Sequence, residues 1–379
     1  MWGRVLCLPP LKTNVGIKMN KIAIHHIGGR CGNRAIDIPP KFHKDIVNVF
    51  YEADTDCLTQ IEEVNKKLES ECLVFPYCLS DSCKLITFNI NYDPFTSSLY
   101  DMNPYYKSYY TFLGDHDYII SETTKVMETR KVDTVSMDSI AEKIPIPDFI
   151  SVDTQGSEYD ILVGAKGLLK SNVIAVMAET VFHPINGSGI IFGDLVKFMS
   201  EQGFHFAKFL SIHEASAFRA PIGLRGTGFH VATDALFLRK IEDTEDDLML
   251  RKLSFISIVL DHLEYGLECL KKSKGFTTSD KDPTYLRFLS DLEKSVKELP
   301  EVYPDTFTSL YPTFEISKAR FSNGNSPYKR QIITRIIDPK IQVQGWTDVE
   351  MTLIRYGLEK QANLISKYRH VHARSLLRL

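Results

Sequence analysis

The chain has 379 residues, 44% of them hydrophobic and 25% charged, with a formal net charge of −3. This is the balance of a globular protein, long enough for one large α/β domain and an appendage, with no overall cationic character to suggest nucleic acid. No apolar run approaches the ~20 residues that a membrane-spanning helix needs. The seven cysteines form no Cys-x-x-Cys pair, which suggests scattered thiols in a reducing cytoplasm and not a disulfide framework.

Residues 1–20 are expected as a loosely ordered leader without a secretion signal, because Pro9 and Pro10 interrupt its short apolar part. Lys21–Gly29 reads as a first strand ending in glycines, and Asp45–Asp54 as a second ending in acids. Leu58, Ile61, Val64 and Leu68 recur at helical spacing. "CLVFPYCLSD" reads as a third strand, and strand–helix–strand at this interval marks a parallel sheet. Ser82 to Val132 reads as an insertion on the upper edge of that sheet, with a strand at "KLITFNINY" and a tyrosine-dense "NPYYKSYYTF".

"VDTVSMDSIAEK" follows as a strand running into a short helix. Asp148–Ala165 supplies the fourth main strand and its helix, and "NVIAVMAETVF" the fifth. A helix stopped at Gly203 leads into another strand. "VATDALFLRK" alternates as an antiparallel edge strand would. From residue 241 the pattern turns helical: one long amphipathic helix over "DDLMLRKLSFISIVLDHLEYGLECLKKSKG", a second from Asp282, and a last with a basic end. Ile316 to Leu379 carries twelve Lys/Arg against four Asp/Glu. A solvated helix face explains this; an anionic partner is the alternative.

Four places suggest chemistry. Gly28, Gly29 and Gly32 sit where the first strand turns toward the next element, and glycine lets backbone N–H groups approach a ligand. A plain turn explains them equally. Glu52 ends the second strand, where nucleoside-binding α/β folds place an acid against ribose. Ser80 and Asp81 close the third strand, where they could meet an adenine edge or make an ordinary turn. In "DFISVDTQGSEYDILVGA", Ser157 reads as an N-cap, Asp160 completes a box-like cap, and Glu158 suits the first turn of a helix. Capping leaves Asp153 and Gln155 unexplained, at a strand end facing the crevice where α/β sheets bind ligands.

"VDTVSMDSI", "PDFISVDTQGSEYDILVGAKGLLKSNVIAVMAETVF", "GSGIIFGDLVKFMSEQGFHF" and "ATDALFLRK" resemble the FkbM family of S-adenosylmethionine-dependent methyltransferases, as does "FTSSLY" at 95–100. The resemblance spans about residues 21–240 and implies a Rossmann-like class I methyltransferase domain. Such a domain has a mostly parallel seven-stranded sheet with helices on both faces; residues 241–379 would be a mainly helical extension. It further implies that Gly28, Gly29 and Gly32 cradle the methionine part of the cofactor. Glu52 would hold the ribose, Ser80 and Asp81 the adenine. Asp153 and Gln155 would flank the transferable methyl with Glu158, and Ser97, Ser98, Tyr100 and Glu179 would lie on the acceptor side. The family usually carries an acid just before the glycine turn; here His26 stands there.

A hydroxyl acceptor on a sugar or small molecule needs a base, for which Asp153, Glu158 and His183 are the candidates. The tyrosine-rich insertion would stack on sugar rings or pack as a lid. Asp153, Glu158 and Glu179 also compose an oxygen set that would suit Mg²⁺; with no tight ligand cluster in the sequence, no metal is expected. Two rival readings are a non-catalytic module keeping the fold, and N-methylation of an amine, which needs less help from a base.

Overall fold

The computed structural model describes residues 20–28, 36–53, 58, 61, 63, 70–113, 116–216, 228–275, 277–297 and 339–365. The expected leader, Gly29, Gly32 and the basic end beyond residue 365 lie outside the described residues. So does most of the helix expected after the second strand, although Leu58, Ile61 and Glu63 are helical.

The described chain divides into two compact units, the first formed by residues 1–274 and 278–287, the second by residues 275–277 and 288–379. The first is an α/β unit built on one large sheet. Its strands are β1 (Ile22–Ile27), β2 (Ile46–Tyr51), β3 (Glu71–Phe75), β4 (Cys78–Leu79), β5 (Leu85–Asn91), β6 (Tyr110–Leu113), β7 (His116–Ile119), β8 (Val126–Val135), β9 (Phe149–Val152), β10 (Ala175–Val181), β11 (Phe204–Ser216) and β12 (Phe229–Arg239). Nine of them form one sheet in the order β3-β2-β1-β9-β10-β12-β11-β6-β7. From β3 to β10 the neighbours are parallel. β1, β2 and β9 are buried along their whole length, as a parallel sheet covered on both faces requires.

Three expectations are corrected. The sheet has nine strands, not seven, because the insertion contributes the β6–β7 ribbon, which pairs onto β11 through Thr111 and Tyr110. β12 is antiparallel as expected but not at the edge: it lies between β10 and β11. The stretch read as a third strand splits, and β4 joins β8 and β5 in a separate three-stranded sheet.

One face of the large sheet carries Val47, Val49, Tyr51, Ile150, Val152, Val176 and Phe237. Against them pack α1 (Glu158–Val163), α2 (Lys166–Ser171) and α3 (Phe192–Glu201) through Ile161, Leu162, Leu169, Leu195 and Phe198. Each such side chain contributes about 1.5–3 kcal/mol by leaving water. Gly203, at φ +89°, ends α3 as the sequence suggests.

The segment after Lys240 begins inside this first unit and not in a region of its own. α4 (Asp247–Val259) is buried along most of its length. Its Lys252 makes an ion pair with Asp148, just before β9, at 2.8 Å, and its Phe255 ring meets Phe42 and Tyr285. The expected single long helix breaks after Leu260: Asp261 takes φ +69°, His262 N–H bonds back to Ser257 O, and α5 (Leu263–Lys272) folds back. A β-carbon on Gly266 would lie 2.6 Å from the Ile258 side chain and 2.9 Å from Ser254 O, so glycine permits this close packing. α6 (Thr284–Lys297) and α7 (Pro339–Arg355) follow, and residues 359–365 are helical.

Candidate functional site

The strand order reverses between β1 and β9, and the crevice at the carboxyl end of such a switch point is where α/β sheets bind ligands. Gly28 leaves β1 there with φ +80°. A β-carbon on it would lie 2.0 Å from the carbonyl oxygen of Asp153, the residue that leaves β9. Asp153 N–H bonds Ile27 O at 3.0 Å, and Gly28 N–H bonds Tyr51 O at 3.3 Å, so three strand ends are tied together. Glu52, just past β2, is buried with its N–H on Phe75 O. Burial, then the charge of Glu52, pushes the Cys78 thiol up to about 12.

The turn from β9 to α1 is built around Gln155, a non-glycine residue at φ +57°, followed by Gly156 at φ +116°. Such a backbone costs about 1–3 kcal/mol and persists only where its surroundings hold it. Gln155 Nε2 donates to Asp153 Oδ1 and to Glu179 Oε2, both at 2.7 Å. Glu158 accepts N–H bonds from Thr154 at 2.6 Å and Gly156 at 3.0 Å. Oxygen atoms of Asp153, Glu158 and Glu179 all lie within 4.8 Å of one another. Burial first, and then the charge of Glu179, raise the Glu158 carboxyl to about 7, against the pull of its backbone hydrogen bonds.

The capping expectation is corrected. Ser157 makes no side-chain cap; its hydroxyl donates to Thr154 Oγ1 at 2.8 Å. Asp160 does not reach back to a cap but accepts the Tyr100 hydroxyl. Glu158 is the group that satisfies the loop amides. Ser98, from the insertion, donates to Gln155 O at 2.7 Å. Gly156 has Asn186 over it: a β-carbon would meet the Asn186 amide nitrogen at 2.6 Å. Asn186 and Asp160 also adjoin this turn; in the sequence Asn186 opens an "NGS" stretch that reads as a plain turn, and Asp160 reads as a cap. A shallow cleft beside the cluster is lined by Gly156, Glu158, Glu179, Thr180, Asn186 and Leu195.

The other candidates make contacts of their own. Ser80 is buried with its N–H on Val135 O. Asp81 pairs with Lys84 at 2.6 Å, and that hydrogen bond holds its carboxyl below the usual range. Both follow β4, so neither ends a strand of the large sheet. Ser80 O would lie 2.1 Å from a β-carbon on Gly164, at the end of α1. Ser97 Oγ accepts Asn91 N–H at 3.2 Å, a contact within the insertion. The His183 ring packs between Tyr106 and Phe229, with centroids 6.0 and 6.3 Å away. His26 is a core residue of β1: it stacks on Phe50 at 4.7 Å and its Nε2 bonds Asn48 Oδ1 at 3.0 Å. His25 points to the opposite face, where Nδ1 meets Tyr51 OH; burial and His26 lower its pKa to about 3, leaving it neutral.

Residues 33–206 match the family model described as the methyltransferase FkbM domain. The crystal structure of methyltransferase FkbM from Methylobacillus flagellatus KT aligns with 12% identity and a TM-score of 0.31, covering 58% of this chain. The aligned part spans 44% of that protein's own length. A search of curated proteins finds none significantly similar to this sequence. Over residues 33–206, then, the chain is similar to the methyltransferase FkbM domain.

Proposed function

We propose that this domain is an S-adenosylmethionine-dependent methyltransferase that methylates a hydroxyl on a sugar or a related small acceptor. The observation that carries the reading is the meeting of Gly28 and Asp153 at the switch point. There the missing side chain lets β1 and β9 close together, which sets the Gly28 turn beside the buried carboxylates of Asp153 and Glu158. That turn at the carboxyl edge and those charges suit a cationic nucleoside, with Gly28 against its methionine part, Glu52 on the ribose, and Ser80 and Asp81 toward the base. The cofactor supplies, when bound, a methyl group on a positively charged sulfur.

The protein's own share is to align the acceptor and take its proton. Of the three candidate bases, Asp153 is the best supported. Glu158 spends both oxygens on the N–H groups of Thr154 and Gly156 and so positions the turn. The His183 ring sits among aromatic neighbours. Gln155 donates to Asp153 and Glu179 together, which steadies two neighbouring carboxylates with amide hydrogens. The aromatic group of Tyr105, Tyr106, His183 and Phe229 suits the apolar face of a sugar ring. Among the described residues Cys72, Cys78, Cys83 and Cys269 form no disulfide, which suits a reducing, cytoplasmic setting.

Calorimetric titration with S-adenosylmethionine tests the first half: no heat of binding at high micromolar concentration removes the reading. Labelled-methyl transfer to a panel of glycans tests the second. Activity is expected, and Asp153→Asn is expected to lower it by about 10²–10⁴. Binding without transfer to any acceptor leaves the non-catalytic module, and methyl found on nitrogen replaces the hydroxyl assignment.

A further inference from the structure

We propose that Ser98 and Tyr100 are positioning residues, not acceptor contacts: together they splint the turn that carries Asp153, Gln155 and Glu158. The proposal rests on the methyltransferase reading for its kinetic consequences, and on geometry alone for the splint itself.

The turn holds two consecutive residues at positive φ, Gln155 and Gly156. A non-glycine residue does not stay there unaided. Ser98 Oγ donates to the Gln155 carbonyl at 2.7 Å and so fixes the peptide that follows Gln155. Ser98 is itself immobilised. Its backbone N–H and C=O both pair with Asn89 of β5, and its Oγ accepts Tyr100 N–H at 2.9 Å. Five residues after Gln155, Tyr100 donates its hydroxyl to Asp160 in the first turns of α1. Burial first, and then this bond, push the Tyr100 phenol's pKa up, so it remains a donor throughout the physiological range.

Two hydrogen bonds from one short segment therefore bracket the turn, at Gln155 and at Asp160. Glu158 accepts the Gly156 amide, which lies between them, and the Thr154 amide, one residue before Gln155. With the Gln155 carbonyl fixed, its side chain is left to reach Asp153 and Glu179. The hydroxyls of Ser98 and Tyr100 are thus already committed to the protein, and an acceptor would have to break those bonds to use them. The insertion's role at this point is to hold the carboxylate cluster in shape.

Hydrogen exchange of the full chain tests the splint. In Ser98→Ala/Tyr100→Phe, the Thr154 and Gly156 amides are expected to exchange about tenfold faster than in the wild type. The single variant Asp160→Ala deletes the Tyr100 bond from the other partner, and Tyr100→Phe on that background is expected to add nothing. The single variants also serve if the double variant does not fold. In methyl transfer, Tyr100→Phe is expected to lower kcat about tenfold, with acceptor KM and cofactor Kd changed less than threefold. Unaltered exchange at Thr154 and Gly156 overturns the proposal. So does a Tyr100→Phe variant in which acceptor KM rises while kcat holds. If the wild type binds no S-adenosylmethionine, the functional reading fails while the exchange result still decides the splint.

Discussion

The carbonyl oxygen of Asp153 occupies the space that a side chain on Gly28 would need, so β1 and β9 meet at the sheet's carboxyl edge through a bare backbone. The positive φ of Gly28 and this approach act together. Gly28→Ala is expected to cost about 3 kcal/mol or more, through an unfavourable backbone region and a contact that only a strand shift relieves. Urea unfolding measures the stability, and titration with S-adenosylhomocysteine is expected to lose at least tenfold in affinity. A Gly28→Ala protein of wild-type stability and affinity would remove the switch point as the ligand site.

The proton on the carboxylate cluster gives a pH dependence with a definite sign. Glu158 rises from 4.5 to about 7 in the folded chain, by burial and then by Glu179. A raised carboxyl favours folding while it is protonated. Its contribution is therefore fully present below about pH 4.5, declines by up to about 1.4 kcal/mol per pH unit, and is lost once pH passes about 7. Glu179→Gln removes the neighbouring charge, so the decline is expected to end at lower pH. Urea unfolding at pH 5, 6, 7 and 8 follows it; superimposable profiles for Glu179→Gln and the wild type would uncouple the two carboxylates.

The strands at the heart of the sheet were legible because β1, β2, β9 and β10 are short, mostly apolar runs bounded by polar or glycine residues, which suits burial on both faces. Gly28, Glu52 and Asp153 were legible as a rim because each follows such a run. The links of Ser98 to Gln155 and Tyr100 to Asp160 were not. They join positions 57 and 60 residues apart, and no local periodicity encodes a side chain's distant partner. The break at Asp261 was hidden for the opposite reason. The helical pattern is continuous through it, and the reversal comes from Gly266 packing on Ser254 and Ile258, a tertiary contact that overrides local propensity. His26 stands where the family resemblance expects an acid, but its ring meets Asn48 and Phe50 in the core, a contact the sequence pattern does not encode.

The ion pair of Asp148 with Lys252 fixes α4 under the sheet. Both Asp148 oxygens receive Lys252 Nζ, and Oδ2 also accepts Ala23 N–H. Burial raises the Asp148 carboxyl, with Lys252 opposing the rise. Lys252→Met leaves that charge buried without its cation and is expected to cost about 3–5 kcal/mol at neutral pH. The sign then predicts recovery in acid: protonating Asp148 removes the stranded charge, so the gap from wild type narrows as pH falls toward 5. A gap that is constant across pH would mean that lost packing of the lysine stem, not the charge, is responsible.

His26 provides the sharpest test of how far a family pattern carries into this chain. Restoring the family's acid with His26→Asp would place a carboxylate on the face of β1 that holds Asn48 and Phe50, where the imidazole is 1% exposed. Nothing in that position reaches the rim where Gly28 turns. The variant is expected to lose about 3 kcal/mol of stability, the penalty for a buried acid beside an aromatic ring. Its affinity for S-adenosylhomocysteine is expected to stay within twofold of the wild type at temperatures where it remains folded. His26→Gln, which keeps a hydrogen bond to Asn48 within reach, is expected to lose only about 1 kcal/mol. Thermal unfolding and calorimetry separate the outcomes. A stable His26→Asp protein that binds the cofactor product more tightly would put position 26 on the ligand side of the sheet, and the register of β1 against β2 would then need to shift by one residue.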